Sequence, residues 1–271
     1  MPFAEVPVVV LAPSAQVDEP AAIRIKDVTK TGFQAVVAKP TGSSVAGASM
    51  TVSFVAVVPG VRQLPGSGLW LEAGRVSTAK LAASTKCRPS SGLSTSWQKV
   101  DFQNQFVEKP AFLTTIQTVN NEVGLPSANS EPWFTVGVNS VNPADAWVSL
   151  EMAETSEHGG SAVTQDEEVG WLAIQQGQAV QCASVYSTRS VKGWDNGPVT
   201  VSFGADMGGN PFVVASQSKR FGGDGGWVRV TSTSSTSAQV VIDEDVNCDT
   251  ERKHTSEEVS VLAFSSSCIL Q

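Results

Sequence analysis

The segment Pro7-Val-Val-Val-Leu-Ala12 has two counterparts further along the chain, Pro110-Ala-Phe-Leu-Thr-Thr115 and Pro211-Phe-Val-Val-Ala-Ser216. Each copy is a proline followed by five residues that are apolar or small. Successive copies begin roughly 100 positions apart, and self-similarity at a fixed period indicates a repeated structural unit. Short apolar runs bounded by proline are typical of strands buried in a sheet core. The chain is therefore predicted to contain three related β units.

The residues after each copy give the same order of strand signals. An alternating segment comes next, then turn residues and a second strand, and finally a closing strand with a shared alanine. The alternating segments are 23–28, 136–141 and 228–233, and the closing segments are 52–57, 169–174 and 259–264. About six strands in roughly 100 residues fit a small antiparallel β-sandwich.

The predicted fold class is all-β, with tandem antiparallel β-sandwich units in three repeats. They are unit 1 (1–64), unit 2 (69–174) and unit 3 (175–271), with 59–68 as a linker between the first two. Unit 1 is predicted to be incomplete. It lacks the glycine strand and the tryptophan-led strand that unit 2 shows as Gly74-Arg-Val76 and Trp97-Gln-Lys-Val-Asp-Phe102. The open edges that result call for a covering partner.

Composition excludes several classes of protein. Of the 271 residues only 16% are charged and 41% are hydrophobic, which is too apolar for a disordered chain. No uncharged apolar run is long enough to span a bilayer, so no membrane insertion is expected. A net charge of −8 repels phosphate backbones, which makes nucleic acid an unexpected partner.

The order of these elements resembles the H-type lectin domain, the family of snail agglutinin and the discoidin C-terminal domain. The resemblance covers most of the chain and rests on short apolar motifs. They are Gly74-Arg-Val76, Trp97-Gln-Lys-Val-Asp-Phe102, Phe106-Val-Glu-Lys-Pro110, Val28-Thr-Lys-Thr-Gly-Phe33 and Trp171-Leu-Ala173. It implies β-sandwiches that hold a sugar near subunit contacts through an arginine, a histidine and acidic groups, with an aromatic ring beside them.

By this analogy unit 3 supplies the best glycan site. Arg229, preceded by Trp227, and the loop residue His254 match the family's binding groups. Unit 2 keeps Trp133 and His158 but has glycine in place of the arginine. A tryptophan face can stack on the apolar face of a pyranose. The alternative interpretation is structural: a solvated polar loop around each histidine, and edge-strand packing for the two tryptophans.

Neither a metal, a cofactor nor a catalytic centre is expected. The acidic string from Asp243 to Glu251 lacks the glycine of a calcium loop, and His254 stands where the bidentate glutamate belongs. Adjacent carboxylates such as Glu167 and Glu168 point to opposite faces of a strand, so they cannot flank one glycosidic bond. No Gly-x-Ser-x-Gly elbow accompanies the two histidines. The protein is predicted not to be an enzyme.

Four cysteines without a Cys-x-x-Cys pair argue against a zinc site and leave one or two disulfides possible. Cys248 and Cys268 close the shortest loop and are the predicted pair. The apolar run from Val6 to Ala12 follows Glu5 rather than a basic flank, so it is interpreted as a strand and not as a secretory leader. An extracellular or cell-surface location is expected.

Two functions follow. The first is a secreted, non-catalytic lectin that binds glycans and mediates cell adhesion. The second is a structural subunit of an extracellular or surface assembly, in which a partner chain completes unit 1 or the protein associates with itself. The second function predicts association that is sensitive to changes between Val8 and Leu11.

Overall fold

The computed structural model describes residues 2–14, 18–40, 50–64, 67–82, 95–122, 125, 133–152, 163–179, 183–223, 225–246 and 250–265. Within them the chain forms strands joined by turns, with one short 3-10 helix at Trp194–Asn196. The predicted all-β class with antiparallel sheets is confirmed. The described residues contain no helix with the length and apolarity that a membrane crossing requires.

Nineteen strands are present in the described part of the chain. They are β1 (Val8–Pro13), β2 (Ala22–Lys26), β3 (Gln34–Ala38), β4 (Val52–Val57), β5 (Gly60–Gln63), β6 (Trp70–Thr78), β7 (Leu81–Ala82), β8 (Gln98–Asp101), β9 (Ala111–Ile116), β10 (Thr135–Val141), β11 (Asp145–Glu151), β12 (Glu167–Ile174), β13 (Gly177–Ala179), β14 (Ala183–Val191), β15 (Val199–Ser202), β16 (Phe212–Lys219), β17 (Trp227–Thr233), β18 (Ser237–Asp243) and β19 (Glu257–Phe264).

Most of these strands belong to two pairs of sheets. In the first pair, one sheet has the strand order β5-β6-β12-β9. In the other sheet β11 pairs with β10, and it also pairs with β7 and β8. In the second pair, β13-β14-β19-β16 accompanies β15-β18-β17. Within its described residues, unit 1 contains the strand pairs β1-β4 and β2-β3, and its last strand, β5, joins the sheet of unit 2.

Unit 1 uses the same pairings as the larger sheets. The proline-led strand pairs antiparallel with the closing strand in β1-β4, β9-β12 and β16-β19. The register is equivalent as well, because Leu11 faces Phe54, Thr114 faces Trp171 and Ala215 faces Val261. In units 2 and 3 the closing strand has a second neighbour, β6 or β14. Among the described strands β4 has none.

The three proline-led strands β1, β9 and β16 lie against one another. The Leu11 amide donates to Thr115 Oγ1 at 3.4 Å, and the Thr114 amide donates to Ser216 Oγ at 3.0 Å. These two contacts occupy equivalent register positions in β1-to-β9 and β9-to-β16. At the third contact, from β16 to β1, the residue at the position of the hydroxyl acceptor is Ala12, which has no hydroxyl. The strands therefore form a threefold-like junction with one weaker side.

The largest apolar core crosses this junction. It contains buried residues from all three units, among them Val10, Leu113 and Val214. Burying apolar surface between units stabilises their association just as it stabilises each sandwich. The described units therefore form a common body rather than separate beads.

Two expectations about element placement are wrong. Gly60–Gln63 was expected in the linker but forms β5, which pairs with β6. The segment 176–180 resembles in sequence the glycine strand of unit 2 at 73–78, which predicts an equivalent strand. In the structure its strand β13 instead takes the position of β5, because β13 is the hairpin partner of β14 as β5 is of β6. Both hairpin strands begin with a glycine at positive φ, Gly60 at 118° and Gly177 at 144°. Only glycine adopts that backbone at low cost.

Candidate functional site

Arg229 lies between units 3 and 1, not on an open surface. It is 0% exposed. Its Nη1 donates to Asp243 Oδ2 at 2.7 Å and to the Glu19 carbonyl at 2.9 Å, while Nε and Nη2 reach the Ser14 carbonyl at 3.4 and 3.2 Å. Burial lowers the pKa of Arg229, and the charge of Asp243 acts against that shift. Arg229 therefore joins two units and offers no donor to a sugar.

A second arginine shares the same carboxylate. Arg252 Nε and Nη2 donate to Asp243 Oδ1 at 2.8 and 2.5 Å, and Nη1 donates to the Asp18 carbonyl at 2.9 Å. Burial raises the pKa of Asp243, and the two guanidinium charges oppose the shift. Both guanidinium groups also lie over the Trp194 ring, at 4.7 and 4.1 Å from its centroid. Cation–π contact of this kind adds to the ion pairs.

The two predicted sugar-stacking tryptophans contact each other instead. Trp133 and Trp227 are buried, and their rings meet edge to face at 4.8 Å. Ala22 and Ala38 of unit 1 pack against them, so all three units meet at this cluster. Trp227 Nε1 donates to the Ala21 carbonyl at 2.9 Å. Neither ring presents a face to a ligand, which favours the packing alternative stated from the sequence.

His254 is held between two carboxylates. Its Nδ1 lies 2.8 Å from Glu244 Oε2, and its Nε2 lies 2.8 Å from Glu257 Oε1. Burial alone would lower the pKa of His254, but the hydrogen bonds and charges of the two glutamates outweigh it and raise the pKa to about 9. The imidazole is therefore a cation at neutral pH, with both nitrogens engaged, and it is not poised as a general base.

In unit 2 the equivalent carboxylate is paired with a neutral side chain instead of a histidine. Glu167 is the counterpart of Glu257, and its Oε1 accepts from the Asn121 amide at 2.8 Å and from Asn121 Nδ2 at 2.9 Å. In unit 3 Gly222 replaces the asparagine, since a Cβ there would lie 2.9 Å from His254 Nε2. Sequence reasoning singled out the histidines but missed Asn121, whose only signal was its place ten residues after the proline-led strand begins.

Two further arginines lie at unit contacts, the buried Arg24 and the partly buried Arg220. Arg220 of unit 3 pairs through Nε with Glu151 Oε2 of unit 2 at 2.7 Å. This ion pair lies beside Gly137, which is the residue of unit 2 that corresponds to Arg229. Arg24 of unit 1 pairs with Glu122 of unit 2 at 2.5 Å. Burial raises the pKa of Glu122 to about 7, against the effect of Arg24.

The remaining sequence predictions have these outcomes. His158, the four cysteines and the centre of the acidic string, 247–249, lie outside the described residues. Among the described residues no group of three or more histidines, cysteines or acids is arranged to hold a metal ion. The structure places the residues of the expected glycan site, Arg229, Trp227, His254 and Trp133, as buried side chains with partners inside the chain.

One surface that differs from its internal counterparts is in unit 1. Phe54 is 52% exposed, whereas Trp171 and Val261 at the same register are 5% and 1% exposed. β6 and β14 cover those two residues, and no described strand covers Phe54. Phe33 meets Phe54 edge to face at 5.0 Å. Phe54 and Phe33 lie at the outer edge of β4.

Val8–Leu11, where changes are expected to affect association through unit 1, are buried. These residues lie in the core against β4 and the neighbouring units, so changes there would unfold the body rather than block a partner.

Comparison with protein-family models, with curated proteins and with solved structures found no match to this chain. The resemblance to H-type lectins therefore stays an interpretation of the sequence.

Proposed function

We propose that this protein is a non-catalytic structural subunit of an extracellular or surface assembly, and that its unit 1 receives a β-strand from a partner chain. The observation that carries the proposal is the tenfold difference in exposure between Phe54, at 52%, and Trp171, at 5%. The same register of the same strand pair is covered in one unit and open in the other.

The physical drive for association has two parts. An unpaired strand edge carries backbone donors and acceptors that another strand can satisfy, and natural proteins protect such edges. A large aromatic side chain beside that edge adds apolar area, and full burial of a phenylalanine is worth about 1.5–3 kcal/mol. Addition of one strand would satisfy both, which is the β-augmentation mode of recognition.

The buried ionic groups support a structural role. Arg24 and Arg220 each join two units through a carboxylate, and Arg229 joins units 3 and 1 through the Glu19 carbonyl while it pairs with Asp243 of its own unit. His254 is fixed by two glutamates. Charged groups that are paired inside the chain rigidify a body, and they are unsuited to proton transfer with a substrate.

Sedimentation velocity across a concentration range tests the proposal on the whole chain. We expect association of the wild-type protein, with itself or with proteins of its own source added as a defined purified set, and loss of that association in Phe54→Asp. The matched control is Phe212→Asp, because Phe212 is 55% exposed on unit 3. Equal loss in both variants, or no association at any concentration, would contradict the proposal.

A glycan array run in parallel separates the lectin function from the structural one. A reproducible hit on the wild-type chain that survives Phe54→Asp would replace the structural proposal with the lectin one. The structural proposal expects no glycan hit.

A further inference from the structure

We infer that the partner strand runs antiparallel to β4 and carries a glycine opposite Phe54, with an aliphatic residue two positions later. This inference rests on the proposed function and names the chemistry of its partner. The template is inside the molecule. In unit 2, β6 covers β12 in antiparallel register, with Gly74 facing Trp171 and Val76 facing Val169.

The glycine is required by the aromatic ring. A Cβ on Gly74 would lie 2.4 Å from Cζ2 and 2.8 Å from Cε2 of Trp171, so any other residue would displace the ring. Unit 3 provides the converse case: its closing strand has Val261 at this register, and the facing residue of β14 is Tyr186. The tryptophan of unit 2 thus excludes a side chain at the facing position of the covering strand β6, whereas Val261 of unit 3 permits a tyrosine at that position of β14.

Because Phe54 is aromatic, unit 1 resembles unit 2 rather than unit 3 at this register. Phe54 occupies the register of Trp171, since Leu11 faces it as Thr114 faces Trp171. Val52 and Ala56 lie two positions to either side and are partly buried on the same face, because side chains alternate along a strand. A strand of the pattern Gly-x-Val or Gly-x-Ile fits this face, with the glycine over the ring and the branched residue over Val52.

The probe is a synthetic fluorescent peptide with the sequence of residues 69–79, which contains Gly74 at the required register. Binding to the whole wild-type chain is measured by fluorescence anisotropy. We expect saturable binding, and binding at least tenfold weaker for the same peptide with Gly74→Val. In the chain variant Phe54→Val, which copies unit 3, the two peptides should bind within about threefold of each other, because the ring that excludes the side chain is gone.

The outcomes separate this inference from the proposed function. Equal binding of both peptides to the wild-type chain, or no binding of either, overturns the glycine rule. If neither peptide binds while Phe54→Asp still abolishes association, the proposed function stands and the partner is not a strand of this chemistry. If neither peptide binds and there is no association, both fail.

A second, independent inference concerns the junction of the three proline-led strands. A cavity of about 70 Å³ lies there, lined by residues of all three units, including Pro13, Ile116, Thr135 and Gln217. We propose that it binds ordered water that bridges the units. A cavity of this volume holds at least one water molecule.

The unpartnered polar groups point to water. Gln217 is 3% exposed, and neither its amide oxygen nor its amide nitrogen has a hydrogen-bond partner. The equivalent residues are the apolar Pro13 and Ile116, so the glutamine is the exception on this axis. Thr135 Oγ1, also buried and without a partner, lines the same cavity. One acceptor, an amide donor and a hydroxyl meet the two to four bonds that a buried water needs.

Two measurements decide it. In NMR spectra we expect slowly exchanging water with cross-peaks to the Gln217 side-chain amide protons. Gln217→Met, close in volume and apolar, should lower Tm by about 2–4 °C because the waters lose their partners, whereas exposed Gln103→Met should not change Tm. A rise in Tm for Gln217→Met, or no water cross-peak, would show a dry cavity and overturn the proposal.

Discussion

At two of the contacts between units a buried acid is paired with an arginine, but the arginine comes from a different part of the fold in each case. At the contact of units 3 and 1, the buried acid Asp243 binds Arg229 from the neighbouring strand of its own sheet. At the contact of units 2 and 3, the carboxylate of the equivalent acid Glu151 lies beside Gly137 of its own sheet, and Arg220 from the next unit supplies the cation. The fold requires a cation beside the acid, and the position of that cation in the sequence is free to change.

The largest expected effect comes from removing the central arginine. Arg229→Ala leaves Asp243 with Arg252 as its one cationic partner and leaves the Ser14 and Glu19 carbonyls without the donors of Arg229. We expect a loss of about 3–5 kcal/mol in the free energy of unfolding, measured by urea denaturation. Lys99→Ala, which breaks the exposed pair with Asp101, is the control and should give no resolvable change. A loss below about 1 kcal/mol for Arg229→Ala would show that the contact is not structural.

The histidine cluster extends the comparison to pH. The pKa of His254 is raised from 6.5 to about 9 in the folded chain, so its stabilisation is complete below pH 6.5 and is lost as pH rises through 9. Unfolding free energy should fall by roughly 3 kcal/mol across that interval. The His254→Asn variant copies the neutral Asn121 of unit 2, and this fall should be absent from its pH profile. An unchanged profile would contradict the assignment.

The exchange of arginines can be tested directly. Arg220→Ala should cost about 2–3 kcal/mol, because Glu151 is buried and loses its cation. Adding Gly137→Arg to that variant places a guanidinium at the register of Arg229 and should restore more than half of the loss. Thermal or urea unfolding of the single and double variants measures the coupling. Additive effects would mean that the two arginine positions do not serve the same acid.

The smallest effect concerns the proline-led strands. Ser216→Ala removes the acceptor of the Thr114 amide and makes this contact resemble the one at Ala12. We expect a loss of about 1 kcal/mol, in the usual range for one hydrogen bond. The exposed variant Ser202→Ala gives the baseline for a serine substitution on a strand. A change no larger than that baseline would mean that the Ser216 bond adds nothing to the junction.

The sequence by itself determined the strands. Alternation of apolar residues decides which segments become strands, and it does so locally, so the proline-led strands, the hairpins and the closing strands all lie where their patterns predict. The sequence also showed that unit 1 lacks two strand signals, and the exposed Phe54 is the structural consequence. The sequence pattern does not predict β14. This strand faces Val261 rather than a tryptophan, so it lacks the glycine by which the equivalent strand β6 is recognised.

The partners of the polar side chains were decided only by the tertiary structure. Arg229 and the Ser14 carbonyl are 215 positions apart, and Arg220 and Glu151 are 69 apart, so no local pattern links them. Which groups meet depends on how three units pack around β1, β9 and β16. Burial then requires each charge to find a partner. That requirement turns residues that resemble a sugar site in the sequence into contacts that hold the body together.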